Sequence, residues 1–204
     1  MRAVIISGGS IADCDYIIKH VNAEDTVICA DSGYNHAIKM GIRPHAVVGD
    51  FDSIEEMPKG VTTLRFPAKK DFTDTEIAID YARGQGFKDF LLIGATGSRM
   101  DHTLTNILLL KGFIAQGETA VIVDRHNRIM LTDSQVDLRG KAGDIVSLVP
   151  IEDCRGVCTT GLEYPLFEAD LFVGKGLGVS NVMAQGVAHV SISKGLLLVI
   201  IARD

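Results

Sequence analysis

The chain lacks any apolar run near the roughly 18–20 residues that a membrane helix needs. Its longest run, Leu196 to Ala202, is the size of a strand. The apolar stretch within Met1 to Ser7 is too short for the core of a secretory leader and reads as an opening strand. A soluble, cytoplasmic protein is expected. No block of lysine and arginine is present, and 26 acidic against 20 basic residues leave a net charge of −6. That balance argues against a nucleic-acid partner. Cys14, Cys29, Cys154 and Cys158 form no CxxC pair, and a cytosolic chain of this length needs no disulfide framework. Cys154 and Cys158 share a spacing that some metal sites use, yet no second ligand pair follows, so zinc is not expected. Prolines number only five, and the 21 glycines keep no triplet period, which excludes collagen. The remainder is 47% hydrophobic and 23% charged, the balance of a globular chain rather than a disordered one.

The 204 residues allow one large domain or two small ones. Up to about residue 118, short β-branched runs alternate with helical stretches. Ala3–Ile6, Thr26–Ala30, Ala46–Val48 and Phe90–Ile93 read as buried strands. Asp13–His20, Tyr34–Met40, Thr73–Arg83 and His102–Ala115 read as helices between them. Asp74 and Glu76 stand in the first turn of the third helix, where carboxylates suit the helix dipole. This alternation predicts an α/β domain with a parallel sheet and helices on both faces. From about Thr119 the pattern becomes short strands punctuated by Gly, Asp and Asn: Val121–Val123, Ile129–Leu131, Ile145–Val149, Val157–Thr160, Leu171–Val173, Ala188–Ile192 and Leu196–Ile201. That predicts an antiparallel β unit, a sandwich or a barrel. Ser193-Lys194-Gly195 has the spacing of a hairpin between the last two strands. Domains 1–125 and 126–204 are expected, with a soft boundary because Val121–Val123 could join either sheet.

Ligands of open parallel sheets gather at the carboxyl ends of the strands. Three acidic motifs fall there: Ala30-Asp31-Ser32-Gly33, Gly49-Asp50-Phe51-Asp52-Ser53, and Lys70-Asp71-Phe72-Thr73-Asp74-Thr75-Glu76. Residues two apart in an extended segment face the same way, so Asp50 and Asp52 can converge. Converging carboxylates call for a cation, and magnesium, which takes oxygen ligands and bridges to phosphates, suits them. Turn and N-cap chemistry explains any one of these motifs alone. Three together favour a site. A fourth motif, Gly94-Ala95-Thr96-Gly97-Ser98-Arg99-Met100-Asp101-His102, offers glycines for close approach to a phosphate, a helix N-terminus and a guanidinium for bidentate contact. It is neither a Walker loop nor a dinucleotide fingerprint. Asp101 can also be read as a simple N-cap and His102 as a core histidine.

These motifs, in this order and spacing, resemble the thiamin pyrophosphokinase family. The likeness extends to Thr160-Gly161-Leu162-Glu163-Tyr164-Pro165-Leu166 and Gly178-Val179-Ser180-Asn181 in the second half. The resemblance implies an α/β domain (1–125) that binds ATP and magnesium and carries catalysis, and a β-sandwich domain (126–204) that binds thiamin. The implied enzyme is a thiamin diphosphokinase that makes thiamin diphosphate and AMP and works as a homodimer. Val187–Ile201 offers an apolar edge for the dimer. The resemblance makes Asp50, Asp52 and Asp74 the magnesium ligands. Asp31 belongs to the same acidic group, and Asp31 and Asp71 are candidates to receive the substrate's proton. It places Lys70, Gly94, Thr96, Gly97, Arg99, Asp101 and His102 on ATP, and Ser180 and Asn181 on thiamin. Ser98 stands where many relatives carry Gly, and Val182 where an acidic residue is common.

Two other readings compete. Val47-Val48-Gly49-Asp50-Phe51-Asp52 is similar to the strand and DxD opening of haloacid-dehalogenase phosphatases, whose first Asp is a nucleophile. Ile54 stands where those enzymes need Thr or Val, and two strand–helix units precede the motif instead of none. A non-catalytic thiamin or nucleotide sensor would be expected to have lost cluster carboxylates, and all are present.

Overall fold

The computed structural model describes residues 1–55, 58–67 and 71–203. Lys70 lies outside them. The chain forms two compact units, Met1–Arg125 and His126–Asp204. No helix among the described residues is long and apolar enough to cross a membrane.

Among the described residues the first unit holds six strands: β1 (Ala3–Ile6), β2 (Thr26–Ala30), β3 (Ala46–Gly49), β4 (Thr62–Arg65), β5 (Asp89–Ile93) and β6 (Thr119–Val123). All pair in parallel, in the order β6-β5-β1-β2-β3-β4. Among the described residues, four α-helices connect them, α1 (Cys14–Ile17), α2 (Gly33–Lys39), α3 (Asp74–Gly84) and α4 (Met100–Ala115), with a 3-10 turn, Ile18–His20, following α1. β1 is buried at every residue, as expected of a strand covered on both faces. Alternation along the strands sorts the core. Val4, Ile6, Val27, Cys29, Leu91 and Ile93 form one cluster with Ile17 of α1 and Tyr34 and Ala37 of α2. Phe90 points the other way and meets Phe113 of α4, ring centroids 4.8 Å apart. Each such fully buried side chain contributes about 1.5–3 kcal/mol.

The Val121–Val123 run belongs to the parallel sheet, as β6 beside β5. β4 has no apolar run to announce it. It is Thr-Thr-Leu-Arg at the sheet edge, mostly exposed.

In the second unit, β7 (Asn127–Thr132), β9 (Ile145–Pro150), β12 (Asn181–Val182) and β14 (Leu197–Ala202) pair antiparallel in the order β12-β9-β14-β7. β8 (Gln135–Arg139), β10 (Cys154–Thr160), β11 (Ala169–Leu171) and β13 (Val187–Ser191) form a second antiparallel sheet, β11-β10-β13-β8. The expected hairpin at Ser193-Lys194-Gly195 is absent. β13 pairs with β8 and β10, whereas β14 pairs with β7 and β9, so the turn carries the chain between sheets. Gly195 makes this passage. It sits at φ 108°, and a Cβ there would lie 2.5 Å from the Asp153 carbonyl oxygen. β13 and β14 are each paired on both sides, so among the described residues Val187–Ile201 presents no free strand edge. Exposed apolar residues of this unit are Val187 and a group at Tyr164, Phe167, Phe172, Val173, Leu177 and Val179.

The order in which strands are added reverses at β1. β2, β3 and β4 extend to one side, and β5 and β6 to the other, so the strand ends of β1 and β5 open a switch-point crevice. Glycines let the backbones meet there. A Cβ on Gly33 would lie 1.9 Å from the Ile6 carbonyl oxygen. Gly33→Ala should therefore cost about 2–3 kcal/mol through forced displacement of α2. Urea unfolding reads this directly, and an unchanged midpoint would contradict the packing argument.

Candidate active site

The crevice widens into a cleft of about 480 Å³. It is lined by the loops after β1, β2 and β5 and by the start of α3. Of the residues singled out from sequence, Asp31, Asp74, Gly94, Thr96, Gly97, Arg99 and His102 line it. Asp71, Asp101, Asp50 and Asp52 are not among its lining residues, and Ser180 and Asn181 belong to the other unit.

Asp50 and Asp52 converge with Asp31 all the same. One carboxylate oxygen from each of the three lies within 4.8 Å of the others. The segment is not extended, however. Phe51 adopts φ 69°, and its ring is buried in the hydrophobic cluster beneath. That anchor turns the flanking carboxylates outward together. The Asp52 N–H donates to Asp50 Oδ1 at 3.1 Å, and the Ser53 hydroxyl to Asp52 Oδ1 at 2.8 Å.

Asp31 is strained as well, at φ 45°. Among the described residues its Oδ1 is buried and has no hydrogen-bond partner. Burial raises its pKa first. The Ser32 N–H and the Ser53 hydroxyl pull it down, while the charges of Asp74 and Asp50 push it further up. An orphaned buried oxygen beside repelling carboxylates has the chemistry of a divalent-cation site. The donor set fits magnesium.

Asp74 stands outside this group of three, at the start of α3, where it lines the cleft and its charge acts on Asp31. Thr73 caps this helix: its Oγ1 accepts the Glu76 N–H at 3.2 Å, and Glu76 Oε2 accepts the Thr73 N–H at 2.9 Å. This reciprocal box fixes where the helix begins, with Asp74 as its first residue. Ser7 Oγ and Thr75 Oγ1, both buried, share a hydrogen bond of 2.9 Å that ties this turn to the end of β1.

The loop after β5 begins with Gly94 at φ 65°, where a Cβ would lie 2.3 Å from the Ser7 carbonyl oxygen. Ser98 keeps a negative φ, so serine fits there without strain. Asp101 is not an N-cap. Arg99 takes that position, and Asp101 follows in the first turn of α4. The two pair at 2.7 Å, both largely exposed. Arg99 holds the Asp101 carboxyl down to about 2. A pair this exposed adds little stability, so the guanidinium can leave it for an anion at small cost. His102 is exposed and lines the cleft, not the core.

Sequence reading overlooked Ser7-Gly8-Gly9-Ser10, the loop after β1, which forms the cleft wall facing the Gly94–Gly97 loop. Its signal was present: a Gly-Gly pair at the end of the first buried strand. A Cβ on Gly9 would come within 2.3 Å of the Gly94 carbonyl oxygen and 2.4 Å of that of Thr96. In the second unit, Ser180 is exposed at φ 60°, with its N–H donating to Ser147 Oγ. Asn181 is buried, and its amide is consumed internally. Nδ2 donates to the Tyr164 carbonyl at 2.7 Å, and Oδ1 accepts the N–H groups of Tyr164 and Val182.

A switch-point cleft with a carboxylate group on one side and a glycine-rich, arginine-flanked loop on the other defines a class, the enzymes that transfer phosphate-containing groups. The comparisons with known proteins narrow it. Residues 18–123 match the family model of the thiamin pyrophosphokinase catalytic domain. Residues 133–197 match the model of the thiamin pyrophosphokinase vitamin B1 binding domain. The chain belongs to the thiamin pyrophosphokinase family and is a diphosphotransferase enzyme. It is 29% identical over 209 residues to thiamine pyrophosphokinase of Bacillus subtilis, with 98% of each chain covered. A crystal structure of thiamine pyrophosphokinase from Bacillus subtilis superposes with a TM-score of 0.91 at 26% identity, covering 100% of both chains. One from Geobacillus thermodenitrificans gives 0.86 at 29% identity, covering 100% of this chain and 98% of that one.

Asp31→Asn should separate stability from function. It removes a buried charge from a repelling group, and asparagine tolerates left-handed backbone. In the presence of chelator the variant should gain about 1 kcal/mol in urea unfolding while losing turnover. A less stable variant would contradict the repulsion argument.

Proposed function

We propose that the enzyme transfers the diphosphate group of ATP to the hydroxyl of thiamin, giving thiamin diphosphate and AMP. The observation that carries this reading is the pair of family-model matches, catalytic over 18–123 and vitamin B1 binding over 133–197. Unit Met1–Arg125 is then the catalytic domain and unit His126–Asp204 the thiamin domain.

In this reading Asp50, Asp52 and Asp74 hold magnesium, and Asp31 stands in the same acidic group without being one of the ligands. Bound there, the ion supplies charge neutralisation for the phosphate oxygens. The chain's own groups do the rest. The Gly94–Gly97 backbone and Arg99 clamp the phosphates, and Lys70, Thr96, Asp101 and His102 complete the nucleotide side. Diphosphate transfer is mostly a matter of positioning and charge. The attacking hydroxyl must lose a proton as its bond to the β-phosphorus forms and AMP leaves. Asp31 Oδ1 is the better acceptor of that proton, because it is buried, has no other hydrogen-bond partner among the described residues and belongs to a residue that lines the cleft. Asp71, exposed and away from the cleft lining, is the weaker candidate. Ser180 meets thiamin, while Asn181 holds the Tyr164 segment in place beside it. A cytoplasmic homodimer is part of this reading, supported by the exposed apolar residues between Tyr164 and Val179.

Purified protein given ATP, magnesium and thiamin should form thiamin diphosphate and AMP in equal amounts with no free phosphate, read by chromatography. Thiamin monophosphate with ADP would overturn the reaction class, and ATP loss without a thiamin product would favour a hydrolase. Asp52→Asn, nearly isosteric, should abolish turnover with the fold intact; wild-type activity would sink the metal assignment.

Ser180→Ala should raise the KM for thiamin more than that for ATP. Asn181→Ala should instead lower stability by about 1–3 kcal/mol, since it strands the Tyr164 backbone groups. A fully stable Asn181→Ala protein with a changed thiamin KM would reverse these two assignments.

A further inference from the structure

The loop after β5 is held through its carbonyls, by the loop after β1 and by α4. Gly94 O accepts the Gly9 N–H at 2.7 Å, and Thr96 O accepts the Ser10 N–H at 2.8 Å. Ala95 O accepts from Asn106 Nδ2 at 2.7 Å, and Gly97 O from Thr103 Oγ1 at 3.3 Å. Every carbonyl from Gly94 to Gly97 is thus engaged. The N–H groups of Ala95 and Thr96 have no hydrogen-bond partner among the described residues, and both residues line the cleft. A carbonyl and the next residue's N–H belong to one rigid peptide plane and point in opposite directions. Anchoring Gly94 O therefore aims the Ala95 N–H, and anchoring Ala95 O aims the Thr96 N–H. Flipping the second plane would present an oxygen to an incoming anion in place of a donor.

Gly94 O and Thr96 O are anchored by backbone. Ala95 O depends on the Asn106 side chain, which reaches it from the second turn of α4. Asn106 is only 7% exposed. Its orientation is set by its partner, because a carbonyl accepts only a donor and the amide must turn Nδ2 towards it. We infer that Asn106 is a positioning residue of the phosphate cradle: its amide grips the Ala95 carbonyl so that the Thr96 N–H of the same peptide faces the nucleotide phosphates. The inference rests on the reading of the Gly94–Gly97 loop as a phosphate site. One of the two Nδ2 hydrogens is used on the loop, and this role requires no contact between Asn106 and the phosphates.

Calorimetric titration of the whole protein with magnesium-ATP and, separately, with adenosine tests it. Asn106→Leu keeps the side-chain volume and removes the donor without adding charge. It should weaken ATP roughly tenfold, the worth of one misdirected hydrogen bond, and leave adenosine affinity and the thiamin KM unchanged. Asn106→Asp, which keeps shape and polarity, decides the matter if the leucine variant does not fold. It too should lose ATP and keep adenosine. A folded leucine variant with wild-type ATP affinity would overturn the inference, even if Asn106→Asp were weakened, because the effect would then be added charge. Equal losses for ATP and adenosine would also overturn it, as a general structural role. Wild-type protein that binds adenosine as tightly as ATP would remove the phosphate reading itself, and the inference with it.

Discussion

Backbone against backbone, with only a hydrogen between, is the constraint on which the catalytic unit depends. Gly33 touches the Ile6 carbonyl, Gly94 that of Ser7, and Gly9 those of Gly94 and Thr96. These contacts draw the ends of β1, β2 and β5 together. The loop after β1 can then stitch to the loop after β5 through Gly9 and Ser10, and α2 can start directly beneath β1. The cleft exists because side chains are absent where strands meet and present around the rim. Glycine also weakens a chain by its entropy when unfolded. Here that loss is offset by hydrogen bonds no larger residue could make.

Around this frame the carboxylates are arranged against their own electrostatic preference. Asp31 and Phe51 both hold left-handed backbone, which costs a residue with a side chain about 1–2 kcal/mol. The buried Phe51 ring gives back what the turn costs and leaves Asp50 and Asp52 facing Asp31. Strain and like-charge proximity in one small region mark a site shaped for a ligand rather than for stability. Elsewhere charges are treated differently. Glu118 is buried but answered by both Arg83 and Lys88, an arrangement that only holds elements together.

Much of this was legible in the sequence, for physical reasons. Buried parallel strands are nearly all apolar, so Ala3–Ile6 and Thr26–Ala30 stood out, and the acids at their ends marked the catalytic face. β4 escaped because an exposed edge strand needs no apolar run. β8, Gln-Val-Asp-Leu-Arg, buries fully only its leucine, too weak an alternation to notice. The hairpin at Ser193–Gly195 failed because turn length says nothing about which sheet the next strand will join. Convergence of Asp50 and Asp52 was foreseen on the wrong geometry: a left-handed turn brings them together, not an extended strand. The Ser7–Ser10 loop was passed over because its glycines are too few to resemble a nucleotide motif. That the Asn181 amide braces the Tyr164 segment was not visible in the sequence, which does not tell a polar side chain that faces a cleft from one that holds a loop.

The capping box at Thr73 and Glu76 has a consequence for how a cation meets this protein. The start of α3, and Asp74 with it, is set by local hydrogen bonds and by the Ser7–Thr75 hydroxyl pair. None of these needs an ion. The entropy of ordering that turn of backbone is therefore spent during folding and not during binding. In the proposed reading an incoming ion would meet Asp74 on a backbone already in place.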